Sequence, residues 1–139
     1  MGTVLSLAVA TELIVSARLR AQSLGFSVSV AVVDGGGHLV SFSRMDGAEI
    51  AGPTLAIDKA FTAVAQSTST AELAILAAPG GDLFGLQANG NGRYVIFGGG
   101  IPLLRGGKIV GGIGVSGATS AQDDHCAQAA VERFAELTS

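Results

Sequence analysis

The sequence is short of charge. Asp, Glu, Lys and Arg make up 14% of its 139 residues, where a soluble domain ordinarily carries about a quarter. It has no tryptophan, one tyrosine, one cysteine and two histidines. A net charge of -3 with no basic run, and almost no large aromatic rings, removes both phosphate neutralisation and base stacking, so nucleic acid is excluded as a partner. The lone Cys126 excludes an internal disulfide and a Cys-rich zinc site. His38 and His125 lie too far apart in sequence to form a spaced ligand motif. There is no run of apolar residues long enough to span a bilayer. "VLSLAVA" lacks a preceding positive charge and is soon followed by Glu12, which argues against a signal segment. "MGTVLS" fits the loose myristoylation pattern but reads better as the start of a helix. A cytoplasmic protein without a membrane partner is expected.

What is present is apolar and small: 48% hydrophobic residues and 21 glycines. So little charge leaves little polar coating for a monomer, and a homo-oligomer that buries part of this surface is expected. Small exposed atoms of an alanine- and glycine-rich chain would also account for the composition. The length suits one domain, residues 1–139.

Residues 3–23 read as a helix with a stripe of Leu5, Val9, Leu13 and Ala17, widened by Ala8, Ile14 and Leu19, and Gly25 as its stop. In "SVSVAVVD", Val28, Val30 and Val32 alternate with Ser27, Ser29 and Ala31, the pattern of a half-buried strand. The "DGGG" turn leads into "HLVSFSRM", the return strand of a hairpin. Residues 48–67 predict a second helix with Pro53 in its first turn and Ile50, Ile57, Phe61 and Val64 as its apolar face. A short helix begins at Thr70 and stops at Pro79. A glycine-rich loop over 80–93 follows, then "YVIF" as a short strand, then a hairpin around Arg105-Gly106-Gly107. The last segment is a helix with Ser120 as N-cap and Asp123 and Asp124 in its first turn. Hairpins imply an antiparallel sheet, and the helices must cover it, so the fold class is α/β in the α+β sense.

Nine of the 21 residues from Phe97 to Gly117 are glycine, and G-I-G-V-S-G fits the dinucleotide-loop pattern G-x-G-x-x-G. That loop needs a second parallel strand after its helix. Only 22 residues follow Gly117, and they are largely helix. Gly112 and Gly114 instead share one face of a strand, where glycine lets a helix backbone or a flat ligand come close.

The same residues carry a resemblance. "GGGIPLLRGGKIVGGIGVSGATSAQDDHCAQAA" resembles the signature of the GlcG/HbpS family, once called DUF336. "VVDGGGHLVSFSRMDGA", "AIDKAFTAVA" and "PGGDLFGLQ" match its other blocks in order. The resemblance implies a profilin-like, five-stranded antiparallel sheet with helices on both faces. The family includes haem-binding proteins, the C-terminal domain of some corrinoid adenosyltransferases, and products of genes near small-molecule catabolic operons. Haem is therefore the expected cofactor if there is one. Some members hold haem by a histidine; in others a threonine is implicated.

Candidate site residues follow. Arg44 closes the second strand, and its two-pronged guanidinium suits a carboxylate or haem propionate; a surface ion pair fits as well. Lys59 lies off the expected apolar face of the second helix. His38 opens the second strand, where it is either a haem-iron ligand or a solvent-facing turn residue. Gly98, Gly99 and Gly100 form either an anion-binding nest or a bulge. Cys126 reads as a buried thiol and His125 as surface. Two functions stand side by side: an oligomeric module binding haem or another flat anionic ligand, and a cofactor-independent isomerase, hydratase or hydrolase of a small carboxylate compound. In the second, Asp46, Glu49 or Asp123 moves the proton.

Overall fold

The computed structural model describes residues 5–139. The myristoylation-type start and the first residues of the 3–23 helix fall partly on residues 1–4, outside the described residues. The elements run α1 Leu7–Ser23, β1 Ser29–Asp34, β2 Leu39–Arg44, α2 Gly52–Ala65, α3 Thr70–Leu76, β3 Gly100–Arg105, β4 Lys108–Ser116 and α4 Ser120–Thr138. The strands form one antiparallel sheet in the order β2-β1-β4-β3. Among the described residues no helix is long and apolar enough to cross a membrane.

Helices cover both faces of the sheet. α2 lies on one face; α1 and α4 pack on each other and on the opposite face. That arrangement corrects the half-buried reading of β1, which is buried on both sides. Val28, Val30 and Val32 join the core with Leu13 and Ala17 of α1 and Phe134 of α4. Ser29, Ala31 and Val33 face α2. Leu19, expected in the α1 stripe, is exposed; the buried side of α1 is Ala10, Leu13, Ile14, Ala17 and Ala21. The helix starts at Ser6, whose hydroxyl accepts the Val9 N–H at 3.1 Å.

Among the described residues the sheet has four strands where five were expected, because Tyr94–Phe97 pair with no strand. The Val95 N–H donates instead to the Thr62 hydroxyl of α2 at 3.0 Å, so a helix side chain takes the amide that a ladder would have used.

The expected apolar face of α2 is also corrected. Ile50 precedes the helix and is 95% exposed. Ile57, Phe61 and Val64 are half-buried, while Gly52, Ala56, Lys59, Ala60, Thr62 and Ala63 are buried. The cause lies across the interface. A Cβ at Gly112 would stand 2.6 Å from the Ala60 carbonyl oxygen, and one at Gly114 would fall on the Ala56 carbonyl oxygen. β4 is bare on this face and α2 meets it with alanines, so the two backbones come into contact. The first two glycines of G-I-G-V-S-G, Gly112 and Gly114, are thus a helix seat.

Candidate functional site

Seating α2 so closely carries Lys59 into the interior. It lies on the same side as Ala56 and Ala63, three residues before it and four after, which is one helical face, with buried Ala60 beside it. Its side chain is 0% exposed. The ammonium donates to the Val115 carbonyl at 2.8 Å and to Asp123 Oδ2 at 3.1 Å, and lies 5.1 Å from the centre of the Phe97 ring. Asp123, 2% exposed in the first turn of α4, also accepts the Ala118 N–H at 2.9 Å and the Gly117 N–H at 3.4 Å. Burial pushes the Lys59 ammonium below its ordinary value and the Asp123 carboxyl above its own; their mutual attraction pulls each back. The pair ties α2, the end of β4 and the start of α4 together.

The glycine bend lies against this pair. A Cβ at Gly99 would stand 2.7 Å from Lys59 Nζ, and one at Gly98 would stand 2.9 Å from the Ser120 carbonyl oxygen. The Gly100 N–H donates to the Thr70 hydroxyl at 2.8 Å, and the Gly99 carbonyl accepts the Val115 N–H at 2.9 Å. The structure therefore brings Lys59, Asp123 and Gly98–Gly100 together.

Beside them opens a groove of about 450 Å³, walled by Ala71 and Ala74 of α3, Phe97, Gly98, and Ala121 and Asp124 of α4. Asp124 Oδ1 is buried there without a hydrogen-bond partner among the described residues. Burial pushes this carboxyl up; the nearby Gly99 amide and Lys59 ammonium pull it back only in part. Asp124→Asn should therefore raise stability by about 1 kcal/mol at neutral pH, since an ionised acceptor is left unsatisfied in the native protein. A carboxyl raised on folding contributes stability below its unfolded value of 3.8 and loses it as pH rises through the folded value. Asparagine has no such loss, so the gain should vanish below that unfolded value. Urea midpoints on both sides of it check this, and an equal shift on both sides counts against it.

The other expected residues lie elsewhere. His38 stays in the β1–β2 turn, 82% exposed, with Nδ1 3.3 Å from Asp34 Oδ1. Asp34 also accepts the N–H groups of Gly36 and His38, and the His38 amide bond is the main cause of its lowered carboxyl value. Arg44 stands at the far end of β2, six residues on, roughly 20 Å away. Arg44, Asp46 and Glu49 are all exposed at the end of the sheet that also holds Ser116, and Glu49 lies near enough to add to the field at Lys59. Cys126 is buried and His125 exposed. The N-cap of α4 is Thr119, one residue before Ser120: it forms a capping box with Gln122.

Sequence patterns give no site role to Asp124, Phe97 or Arg93. The Arg93 guanidinium lies 3.7 Å from the Phe61 ring centre and its Nε is 3.0 Å from Asp58 Oδ1, while Phe61 stacks on Tyr94. This clamp pins the end of the glycine-rich loop to the outer side of α2. No spacing rule pairs residues 58 and 93. The signal for Lys59 was present, in the alanines spaced around it.

Over residues 5–132 the chain matches the family model described as haem degrading protein HbpS-like. It belongs to the HbpS-like family. This HbpS-like chain is 37% identical over 133 residues to the uncharacterized 15.0 kDa protein of the dhaT-dhaS intergenic region of Citrobacter freundii, covering 96% of this chain and 94% of that protein. It is 43% identical over 112 residues to the corrinoid adenosyltransferase PduO of Salmonella typhimurium, 81% of this chain but 33% of PduO. The solved structure of a PduOC:haem complex superposes with a TM-score of 0.89 at 40% identity, covering 93% of this chain and 94% of that one. The GlcG/HbpS resemblance and the helix-covered antiparallel sheet of the HbpS-like fold both stand.

Proposed function

We propose that this chain is a small-ligand-binding protein whose ligand is haem or another flat anionic molecule, and that it works as a homo-oligomer. The observation that carries this reading is the likeness to the PduOC:haem complex, at 40% identity and a TM-score of 0.89. The donor set agrees with it. Asp34 sits against His38 Nδ1, the way a carboxylate fixes an imidazole so that Nε2 presents its lone pair to a metal. His38 would be the residue that holds the haem iron, and bound haem would supply the iron centre. Arg44 stands too far from His38 to serve the same haem. Arg105 and Lys108, both exposed in the β3–β4 turn, lie toward the His38 end of the sheet and would meet the propionates. Scarce charge, together with exposed Ile75, Leu76, Leu83 and Phe84 on α3 and the loop after it, supports subunit association.

One observation favours a second reading, proton transfer on a small carboxylate compound. Asp124 offers to an apolar groove a raised carboxyl with one oxygen left unpartnered among the described residues, as an acid–base group would. In that case the role expected of Asp46, Glu49 or Asp123 passes to Asp124.

A haemin titration followed by absorbance separates the two. A saturable Soret shift at one site per chain is expected, weakened at least tenfold by His38→Ala and unchanged by Arg44→Ala and Asp124→Asn. A non-saturating response, or full binding by His38→Ala, would overturn the assignment of His38.

A further inference from the structure

The chain contains two asparagines, Asn89 and Asn91, and a glycine follows each of them. Both pairs lie exposed in the glycine-rich loop before Arg93. We propose that Asn89 is a modification site: its side-chain amide is lost by spontaneous closure of an imide with the Gly90 nitrogen, while Asn91 is spared.

The chemistry needs only water. The Gly90 nitrogen attacks the side-chain carbonyl carbon of Asn89. The C–N bond of the side-chain amide breaks, and ammonia leaves with the proton that the Gly90 nitrogen gives up. Water then opens the imide at one of its two carbonyls. Opening at the side-chain carbonyl leaves aspartate. Opening at the main-chain carbonyl leaves isoaspartate, in which the backbone runs through the former side chain and is longer by one methylene. In either product a carboxylate replaces a neutral amide, and nothing is oxidised or reduced. Glycine favours the first step because it has no Cβ to crowd the attacking nitrogen.

The backbone selects between the two asparagines. Ring closure brings the following nitrogen into line with the Cβ of the asparagine. At Asn89, with φ -98° and ψ 178°, this takes a short rotation. At Asn91, left-handed with φ 56° and ψ 33°, it takes most of a half turn. The nitrogens differ as well. The Gly92 N–H donates to the Asn89 carbonyl at 3.0 Å, whereas the Gly90 N–H has no acceptor among the described residues. Either closure gives up that exposed turn bond, but only closure at Asn91 uses the nitrogen that makes it.

The position gives the change a consequence. A Cβ at Gly90 would stand 2.7 Å from Tyr94 Cε2, so Gly90 lies directly against that ring. The Gly90 carbonyl accepts the Arg93 N–H at 3.1 Å. An extra methylene just before Gly90 displaces it from both partners and loosens the clamp of Arg93, Phe61 and Tyr94 on α2. Tyr94 is the one tyrosine of a chain without tryptophan, so its emission reports on this site. None of this depends on which ligand the protein takes.

In the test, the full chain is held in mildly alkaline buffer, folded and, in parallel, unfolded in urea. Anion exchange follows the acidic product, and peptide mapping by mass spectrometry places it. In the folded protein, exchange of amide for acid is expected severalfold faster at Asn89 than at Asn91; in urea the two should convert at similar rates. Isoaspartate should exceed aspartate, and the rate should rise with pH, because the attacking nitrogen must give up its proton. Asn89→Ser should remove most of the acidic product, and Asn91→Ser should leave its rate unchanged. Tyr94 emission should change in step with conversion at Asn89 and stay constant in Asn89→Ser. Asn91 converting as fast as Asn89 in the folded protein, or Asn89 keeping its amide while the unfolded chain loses it, would overturn the site. Aspartate without isoaspartate would overturn the imide route, and unchanged Tyr94 emission would overturn the link to the clamp.

Discussion

Lys59→Ala should lower stability by about 3–5 kcal/mol, the cost of breaking a buried ion pair from one side. Domains of this size hold only about 5–15 kcal/mol in total, so the variant is expected at the edge of folding. The change strands Asp123, 2% exposed, with only the Ala118 and Gly117 amides for partners. Asp123→Ala does the converse and leaves the ammonium with the Val115 carbonyl alone. The double change Lys59→Met with Asp123→Asn should recover most of the loss, because methionine fills the channel beside Phe97 and asparagine can still accept the Ala118 N–H. The pH dependence has a definite sign. Asp123 is already raised by burial, and losing the ammonium raises it further. A raised carboxyl favours the folded state below its unfolded value and loses that favour as pH rises through its folded value. Lys59→Met should therefore become more stable on mild acidification, more steeply than the parent protein. Urea denaturation across that range measures it. A single variant within about 1 kcal/mol of the parent would show that the pair is worth no more than a surface bridge.

The position of that pair explains which parts of the molecule were legible in the sequence. Period-two and period-3.6 patterns placed both hairpins and all four helices, because those patterns follow from which side of an element is covered. They failed where both sides are covered, as in β1, and where the covered side is made of small residues, as in α2. On α2 the larger residues Ile57, Phe61 and Val64 form the more conspicuous stripe, yet the sheet selects the alanine side because glycine leaves it no room for anything larger. Lys59 was noted as off the apolar stripe. That was correct about the stripe and silent about the glycines opposite. The fifth strand failed for another reason: "YVIF" has strand composition, but a threonine hydroxyl on α2 takes the Val95 amide, a tertiary contact with no local trace. The functional residues divide in the same way. His38 and Arg44 are marked by turn chemistry and scarce charge. Asp124 reads in the sequence only as a carboxylate near a helix start; its burial beside an apolar groove is visible only in three dimensions.

Gly114→Ala should be nearly as damaging as Lys59→Ala, although it adds a single methyl group. The new Cβ would fall on the Ala56 carbonyl oxygen and stand 2.7 Å from the Ala60 backbone nitrogen. Neither atom can rotate away, since both belong to the α2 backbone. The helix must lift from the sheet, and overpacking of this kind costs about 3 kcal/mol, at the upper end of its usual range. The damage does not stop at the clash. Lys59 sits between Ala56 and Ala60, so lifting α2 draws its ammonium away from the Val115 carbonyl and from Asp123. The two lesions share one cause and should not add: in the Lys59→Met, Asp123→Asn background, Gly114→Ala should cost clearly less than in the parent chain. Gly92→Ala is the control for an inserted methyl group. Its backbone is left-handed at φ +75°, but nothing lies within 4 Å of the added atom, so only the conformational cost of about 1 kcal/mol applies. Denaturant midpoints for the five proteins, the parent, Gly114→Ala, Gly92→Ala and the double-substituted background with and without Gly114→Ala, decide the matter. If Gly114→Ala costs no more than Gly92→Ala, α2 does not rest on the bare strand, and the burial of Lys59 needs another cause.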